Sequence, residues 1–236
     1  MDSIHPLVQQ LACTLLPGSY PNAAQVPPLY NAAYAYWKKT WDEFFVKAGS
    51  GPGALNIENF MRSRYVIVLH RELEVVGTLS ASVFNSQADT TYDHPSIKPF
   101  PEFILKNLKS VDPGSCITGE YLSVHPSYRK DVVGLSLADV LVGLLLEILK
   151  NDELWAMVAT PVRAAKVAEI TVKYGAEEIG SHLKIGVDCQ MIYVTREMYH
   201  AHPDSRVMDA VGRLWGRRED LVNQRQIRKL KVAQAA

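Results

Sequence analysis

The sequence predicts an α/β fold with a mixed, mostly antiparallel sheet, helices on its flanks and one β-α-β crossover in its second half. Apolar runs bounded by turn residues predict the strands, and apolar positions three or four apart predict the helices. These segments follow the order helix, two strands, long connection, then β-α-β-α-β-β, which is typical of such a sheet. The 236 residues are 47% hydrophobic and 21% charged, a composition that excludes disordered and collagen-like chains.

The first half of the chain contributes a predicted helix and a predicted hairpin. Leu29–Lys47 has aromatic residues three or four apart, which predicts a helix with one face on a core. Tyr65–Leu69 and Val75–Phe84 flank a short polar turn, which predicts two antiparallel strands. Before them, the proline-rich residues 1–28 predict a short helix at Pro6–Leu16 and then an irregular arm.

A long connection, Asn85–Ser115, separates the hairpin from the second half of the chain. It is rich in polar and proline residues and includes a predicted helix at Glu102–Leu108. A connection of about 30 residues inside a compact domain is usually a functional segment or a lid.

The second half alternates strands and helices more regularly. Gly134–Lys150 is apolar almost all round, which predicts a helix laid against a sheet. Val162–Tyr174 is predicted to be a helix that ends at Gly175, because glycine favours the left-handed position after a helix. Leu154–Thr160 is a continuous apolar run, typical of a strand buried on both faces. The other predicted strands are Ile117–Val124, Glu177–Gly180 and Gln190–Arg196.

The predicted organisation is an N-terminal arm at 1–28, one domain at 29–202 and a basic helical extension at 203–236. From Asp204 to Ala236 basic residues outnumber acidic ones, and Val207, Val211, Leu214, Leu221 and Ile227 form a weak helical face. We expect a helix docked on the domain or fraying from it. A homodimer through this extension is the alternative.

Charge and cysteine content exclude several classes of protein. Lys+Arg and Asp+Glu are equal at 25 each, so no global charge attracts nucleic acid or anionic membrane. Cys13, Cys116 and Cys189 share no C-x-x-C spacing, which argues against a disulfide scaffold and favours a reducing compartment. The longest apolar stretch contains Asp139 and Glu147, and a basic signal region is missing, so we expect a soluble cytoplasmic protein. The histidines show no metal-ligand spacing, so no metal is expected.

The most informative stretch is a strand, turn and helix between Gly119 and Ser136. The predicted strand ends at Val124, and the predicted helix opens at Gly134, where the backbone can approach a ligand closely. The first amides of a helix have no intrahelical partner and attract anions such as pyrophosphate. Arg129 and Lys130 add positive charge to this turn.

These residues resemble the acyl-CoA-binding motif of the GNAT N-acyltransferase superfamily. The resemblance rests on Tyr-Leu-Ser-Val-His-Pro-Ser-Tyr-Arg, followed by a Gly-x-Ser helix start and Leu-Ala-Asp-Val-Leu. Val-Ala-Thr-Pro and the later Tyr-Gly-Ala-Glu-Glu-Ile-Gly are similar to the second family motif, so the resemblance covers Tyr65 to Arg196. It implies transfer of an acyl group from acyl-CoA, or from an acyl carrier protein, to a small-molecule amine.

The resemblance also implies positions for the donor. The backbone of Leu122, Ser123 and Val124 would hold the pantetheine arm, beside Thr160 on the neighbouring strand. The pyrophosphate would lie on the turn and the helix start. The residues implied there are Arg129, Lys130, Val132, Val133, Gly134, Leu135 and Ser136.

Acyl transfer to an amine needs a base, an oxyanion donor and an acid. Glu120 is the candidate base, directly or through water, and the alternative is a surface or salt-bridged carboxylate. The amide of Val124 or a neighbour would polarise the carbonyl. Thr171 stands where the family often has a tyrosine acid, so Tyr174 or Tyr128 would replace it, although Tyr174 is as readily a packing residue.

Other departures from the family pattern are Asp131, Ser136 and Ala176, and the turn after Arg129 is longer. The departure at Thr171 also allows a non-catalytic binding or scaffolding protein with the same fold.

A second resemblance concerns the long connection and the aromatic helix. Acyl-homoserine-lactone synthases and long-chain N-acyl amino acid synthases have a similar long segment and a similar helix, although the Glu-x-x-Arg of their third strand is Glu120–Ser123 here. We therefore predict that Asn85–Ser115, through Pro99–Leu108, and the Tyr30–Phe45 helix line a pocket for a medium or long acyl chain. A mere lid over the sheet edge is the alternative.

Overall fold

The computed structural model describes residues 5–20, 25–51, 53–111, 114–152, 154–184 and 186–223. In this part of the chain eight strands form a single sheet. Along the sequence they are β1 (Ala12–Leu16), β2 (Tyr65–Arg71), β3 (Glu74–Asn85), β4 (Ser115–Val124), β5 (Ala156–Ala159), β6 (Glu177–Lys184), β7 (Val187–Thr195) and β8 (Glu219–Asp220). Their order across the sheet is β6-β7-β5-β4-β3-β2-β1-β8.

Helices cover both faces of the sheet. They are α1 (Pro6–Gln9), α2 (Pro28–Lys47), α3 (Glu58–Met61), α4 (Thr90–Asp93), α5 (Glu102–Ser110), α6 (Lys130–Val133), α7 (Leu137–Asn151), α8 (Val167–Val172) and α9 (Ser205–Gly216). Side chains alternate across β2, so Ile67 packs with α7 and α9 on one face while Val66 and Val68 pack with α2 on the other. The helix α5 lies on the same face as α2, over β4, β5 and β7.

The sheet is mostly antiparallel, as predicted. The neighbouring pairs β4–β5 and β1–β8 are parallel. The strand β4, the helix α7 and the strand β5 form the predicted β-α-β crossover, and α7 packs on β3 and β4. The helix α7 is buried almost all round because the sheet covers one side and α8 and α9 cover others.

The strands β4 and β5 part from each other in the middle of the sheet. They pair only from Cys116 to Thr118, and β5 ends at Ala159 while β4 continues to Val124. Beyond the paired part, one extra residue of β4 forms a bulge against β3, where Tyr121 has a positive φ of 56°. A bulge bends its strand. In the described part of the chain, the second half of β4 therefore has no partner strand on the side that faces β5.

The prediction for the start of the chain was wrong in part. The helix covers only Pro6–Gln9, and Ala12–Leu16 form the strand β1, which pairs with β2. Cys13, Leu15 and Leu16 are buried between the helical layers, so pairing with β2 overrides the local helical pattern. The Arg213 guanidinium donates hydrogen bonds to the carbonyls of Val8, Gln9 and Leu11 and ties this segment to α9.

Two helices of the crossover region are shorter than predicted. The helix α7 begins at Leu137 rather than at Gly134, because Gly134 (φ 69°) ends the separate helix α6 and the Ser136 side chain caps α7. The predicted helix Val162–Tyr174 is a 3-10 turn at Arg163–Ala165 followed by α8.

The C-terminal extension contributes a docked helix. Val207, Val211 and Leu214 of α9 are buried against α7, as the docked-helix interpretation expects. Ile227 and the rest of 224–236 lie outside the described residues. A homodimer through this extension stays a prediction.

Candidate functional site

A cleft of about 710 Å³ lies where β4 and β5 part, and it passes through the sheet. On one face its walls come from α7 and α8, including Val142, Leu145 and Ile170. On the other face they come from the second half of α2, from the segment before β2 and from residues 94–96. The bulged half of β4 and the end of β5 form the passage between them.

The backbone of β4 is exposed to this cleft. Leu122, Ser123 and Val124 line it, and Thr160 lines it from the end of β5. Since β5 has ended, this edge of β4 has no neighbouring strand in the described part of the chain. An unpaired strand edge offers amide donors and carbonyl acceptors to an extended ligand. Four of the predicted donor-binding residues are therefore brought together here.

Glu120 lies in the cleft beside the bulge and is fixed by three side chains. Arg62 Nη2 donates to its Oε2 at 2.6 Å, while Thr118 Oγ1 and Ser96 Oγ donate to its Oε1 at 2.8 and 3.2 Å. Its side chain is only 11% exposed. The carboxylate is thus salt-bridged, as the structural alternative expects, and it also lines the cleft; its role as a base stays a prediction.

Arg62 is itself held in one orientation. Its Nε donates to Asn59 Oδ1 at 3.1 Å and its Nη1 donates to Ser82 Oγ at 3.0 Å. Asn59 Nδ2 in turn donates to the Tyr121 hydroxyl at 2.6 Å. A continuous chain of hydrogen bonds therefore links the carboxylate of Glu120 to the ring of Tyr121. Such a chain restricts the rotamers of all its members.

His94 is the titratable residue that the long connection contributes to this cleft. Burial, together with the positive charge of Arg62, holds the pKa of His94 below its usual value near 6.5. Its Nδ1 accepts a hydrogen bond from the Ser96 amide at 3.2 Å. The ring therefore stays neutral near pH 7, with its proton on Nε2.

The sequence did not identify Arg62, Asn59, His94 or Ser96 as site residues. Each stands alone in the sequence, without a motif. Arg62 and Glu120 are 58 positions apart, and only the pairing of β3 with β2 and β4 brings them together. The length of the connection was the one signal that pointed to His94 and Ser96.

The predicted phosphate-binding turn is only partly supported. Arg129 lines the cleft, but Lys130, Val132, Val133, Gly134, Leu135 and Ser136 do not. The amides of Val132 and Val133 donate to the Arg129 carbonyl and that of Gly134 donates to the Lys130 carbonyl. Since these three amides already donate hydrogen bonds within α6, they are not free to bind a pyrophosphate, and the expectation that they do so is corrected. In the described chain, the amides of Leu135 and Ser136 have no such backbone partner.

The two tyrosines considered as acids lie outside the cleft. Tyr174 is fully buried, its hydroxyl donates to the Asp139 carbonyl at 2.7 Å, and burial raises its pKa. Tyr128 is buried and its hydroxyl donates to Glu74 Oε1 at 3.2 Å. Thr171 lines the cleft, but its hydroxyl donates to the Val167 carbonyl. Tyr174 thus packs, the alternative role that the sequence left open for it.

Asp139 anchors the start of α7 close to the phosphate-binding turn. Its Oδ1 accepts from Lys173 Nζ and His202 Nε2, both at 2.8 Å, and Oδ2 accepts from Ser136 Oγ. Burial alone would raise the pKa of Asp139, but the hydrogen bonds from Lys173 and Ser136 outweigh it and hold the pKa below its usual range. The cluster fixes α7 relative to α8 and to the segment before α9.

Of the two segments predicted to line an acyl pocket, the aromatic helix lines the cleft and Pro99–Leu108 does not. Thr40, Trp41, Phe44 and Phe45 of α2 line the cleft, as expected for the aromatic helix. Pro99–Leu108 does not line it, because Phe100, Ile104 and Leu108 are buried against β4, β5 and β7. This part of the connection therefore packs on the middle of the sheet, and neither the predicted acyl-pocket wall nor the alternative of a lid over the sheet edge describes it.

Two further features bear on ligands and membranes. Across the described residues, no group of three or more His, Cys, Asp or Glu side chains is placed to hold a metal ion. Among the helices that the structure describes, none combines the length and apolar content needed to cross a bilayer.

No family model matches the sequence, and no curated protein is similar to it. Solved structures do resemble this one. A CoA-dependent acyl-homoserine lactone synthase, BjaI, solved with MTA, matches with a TM-score of 0.56 and 8% identity over 89% of this chain and 93% of its own.

Two other solved structures are also similar. FeeM, an N-acyl amino acid synthase from uncultured soil microbes, has a TM-score of 0.47 and 13% identity over 80% of this chain and 93% of its own. AAC(6')-Ib in complex with ribostamycin and coenzyme A has a TM-score of 0.47 and 14% identity over 80% of this chain and 95% of its own. At these identities the likeness concerns the fold. The predicted fold is therefore confirmed: this chain has the fold of the GNAT N-acyltransferases.

Proposed function

We propose that this protein is an N-acyltransferase that moves a medium or long acyl chain from a pantetheine thioester to an amine. The donor is acyl-CoA or an acyl carrier protein, and the acceptor is an amino acid. The observation that carries the proposal is the cleft through the sheet, which combines a free strand edge, a fixed carboxylate and an aromatic wall.

The free edge of β4 suits the pantetheine arm. Pantetheine is extended and carries two amide groups, so it can pair with the backbone of Ser123 and Val124 as a short additional strand. Thr160 faces it from the end of β5, and Arg129 supplies positive charge for the donor phosphate at the same end. Both CoA and carrier proteins share this arm, which is why both donors fit.

Glu120 is positioned to remove a proton from the attacking amine, directly or through one water. The amine nitrogen then forms a bond to the thioester carbonyl carbon, and an unpaired amide of β4, that of Val124 or a neighbour, stabilises the oxyanion. The intermediate collapses as the C–S bond breaks. A thiolate with a pKa near 8.5 is a good leaving group, so water can supply the proton that the two buried tyrosines do not.

The charge of the cleft supports an acceptor that carries a carboxylate. Among the described residues, those with a charge that line the cleft are the cations Arg62, Arg129 and Lys184 and the carboxylate of Glu120. Arg62 is paired to Glu120 and Arg129 lies at the donor end, which leaves Lys184 as a third cation for the acceptor. A zwitterionic amino acid would direct its amine to Glu120 and its carboxylate to Lys184.

The proposal is tested by calorimetric titration of acyl-CoA thioesters from acetyl to palmitoyl, followed by thiol release with a panel of amino acids. We expect binding and turnover. In Glu120→Gln we expect kcat to fall by about 10²–10⁴-fold while donor binding is kept. Glu102→Gln, on the exposed side of α5, is the matched control and should leave both unchanged.

Two outcomes would contradict the proposal. A folded protein that binds no thioester of any length would exclude it. A protein that binds thioesters but transfers the acyl group to no amine would be the non-catalytic binding protein, which the placement of Thr171 and Tyr174 favours.

A further inference from the structure

We propose that the ring of Tyr121 sets the length of the acyl chain that the cleft accepts. This inference rests on the proposed function, because it concerns the donor of that reaction. It assigns a specificity role to a residue that stands at the start of the quoted acyl-CoA motif but had no role assigned to it.

Tyr121 forms the partition between the cleft and the aromatic core behind it. It lines the cleft, and its ring makes edge-to-face contacts with Trp41 and Trp37 at centroid distances of 5.0 and 5.3 Å. Trp41 lines the cleft too, whereas Trp37 is fully buried and packs against Phe60. The cleft therefore ends at Tyr121 on this side, with Trp37 behind the ring and Phe60 packed against Trp37.

The ring is held in this position from both ends. The backbone of Tyr121 adopts the left-handed conformation at the β4 bulge, which is unusual for a bulky side chain and is a form of local strain. The hydroxyl accepts a hydrogen bond from Asn59, which belongs to the network of Arg62 and Glu120. A bulge re-aims a side chain, and here it places the ring across the cleft.

Two chemically different directions diverge from this bulge. Toward Glu120 the walls are polar and include Arg62, Ser96 and His94. Toward α2 they are apolar, with Trp41, Phe44 and Phe45 half-buried and so still able to contact a ligand. A charged amine is stabilised only in the first direction, and each methylene of an acyl chain is stabilised only in the second. The acyl chain therefore extends along α2 until the Tyr121 ring stops it.

Removing the ring should lengthen the path, and enlarging it should shorten the path. In Tyr121→Gly the space of the ring joins the cleft as far as Trp37 and Phe60, and glycine also relieves the left-handed backbone. Each additional methylene that enters should then improve binding by about four-fold. In Tyr121→Trp the larger ring should move the optimum to shorter chains. Tyr121→Phe keeps the ring, loses only the hydroxyl, and is the matched control.

The experiment measures dissociation constants of S-acyl-pantetheines and acyl-CoAs from acetyl to palmitoyl for the full chain and the three variants. We expect the best chain length to rise in Tyr121→Gly, to fall in Tyr121→Trp and to stay unchanged in Tyr121→Phe. Thermal melting verifies that each variant is folded. The opposite shifts expected of Tyr121→Gly and Tyr121→Trp keep the test decisive if one of them fails to fold.

The possible failures are distinguishable. If the unmodified protein binds thioesters but neither folded variant changes the best chain length, the role of Tyr121 is refuted and the proposed function stands. If the unmodified protein binds no thioester at all, the proposed function falls, and the inference falls with it.

Discussion

The helices α2 and α5 are both rich in apolar residues and lie on the same face of the sheet, yet only α2 reaches the cleft. On α5, Ile104 and Leu108 are spaced four apart and fully buried against the sheet, and Phe103 and the partly buried Leu105 do not line the cleft. On α2, Trp37 fills the core while Trp41, Phe44 and Phe45 stay half-buried.

The difference shows that only those apolar side chains that are not fully buried in the core are available to a ligand. When a short helix with a narrow apolar stripe docks on a sheet, that contact buries most of the stripe. A long helix with a broader aromatic face can both dock and contribute a wall. The comparison predicts opposite effects of mutation: substitutions on α5 should change stability, and substitutions on the second half of α2 should change ligand preference.

The largest effect is expected at Ile104. Its side chain is 1% exposed, so Ile104→Ala should leave a cavity and lower the free energy of unfolding by about 2–5 kcal/mol. Urea unfolding measures this loss. Phe103→Ala on the same helix is the control, because Phe103 is 56% exposed and its loss should matter by less than about 0.5 kcal/mol. A stable Ile104→Ala variant with an altered acyl preference would reverse the assignment of α5.

The next effect concerns Trp41. Trp41→Ala removes an apolar wall of the cleft, so long-chain thioesters should bind roughly ten-fold more weakly relative to acetyl thioesters, which corresponds to about 1.4 kcal/mol of lost contacts. The measurement is the ratio of the two dissociation constants, since a general loss of binding would change both constants equally and leave the ratio unchanged. Val46→Ala, exposed on the same helix, should leave the ratio unchanged. An equal weakening of both ligands would show that α2 acts only as scaffold.

Local patterns explain what the sequence could predict. The helix α2, the hairpin of β2 and β3 and the helix α5 follow the spacing of their own side chains, and they were predicted nearly to their ends. The strand β1 was missed because its conformation depends on pairing with β2, fifty or more positions away in the chain. The five residues of β1 are too few to show a clear strand pattern, and the helical turn just before them favours the prediction of a helix.

The site shows the same limit. Glu120 and the edge residues Ser123 and Val124 belong to one strand and were found together. Arg62 was not found, because an arginine before a strand reads as surface charge until the fold places it beside Glu120. The inward direction of Tyr174 and the helix α6 likewise depend on tertiary packing, which no local spacing encodes.

The smallest effect is expected at His94, where the long connection meets the cleft. Its pKa in the folded protein is lowered, first by burial and then by Arg62, whereas the unfolded chain titrates near 6.5. The folded state thus binds fewer protons, so the contribution of His94 to stability is complete above about pH 6.5 and is lost as the pH falls through the lowered pKa.

His94→Asn cannot titrate, but its Oδ1 can still accept a hydrogen bond from the Ser96 amide. The melting temperature of the variant should therefore decline less between neutral and mildly acidic pH than that of the unmodified protein. Because the ring is partly exposed, solvent screening keeps the difference small. His182→Asn provides a reference, since burial also lowers the pKa of His182 on β6. Identical pH dependence in His94→Asn and the unmodified protein would show that the 94–96 segment is not closed over the cleft in solution.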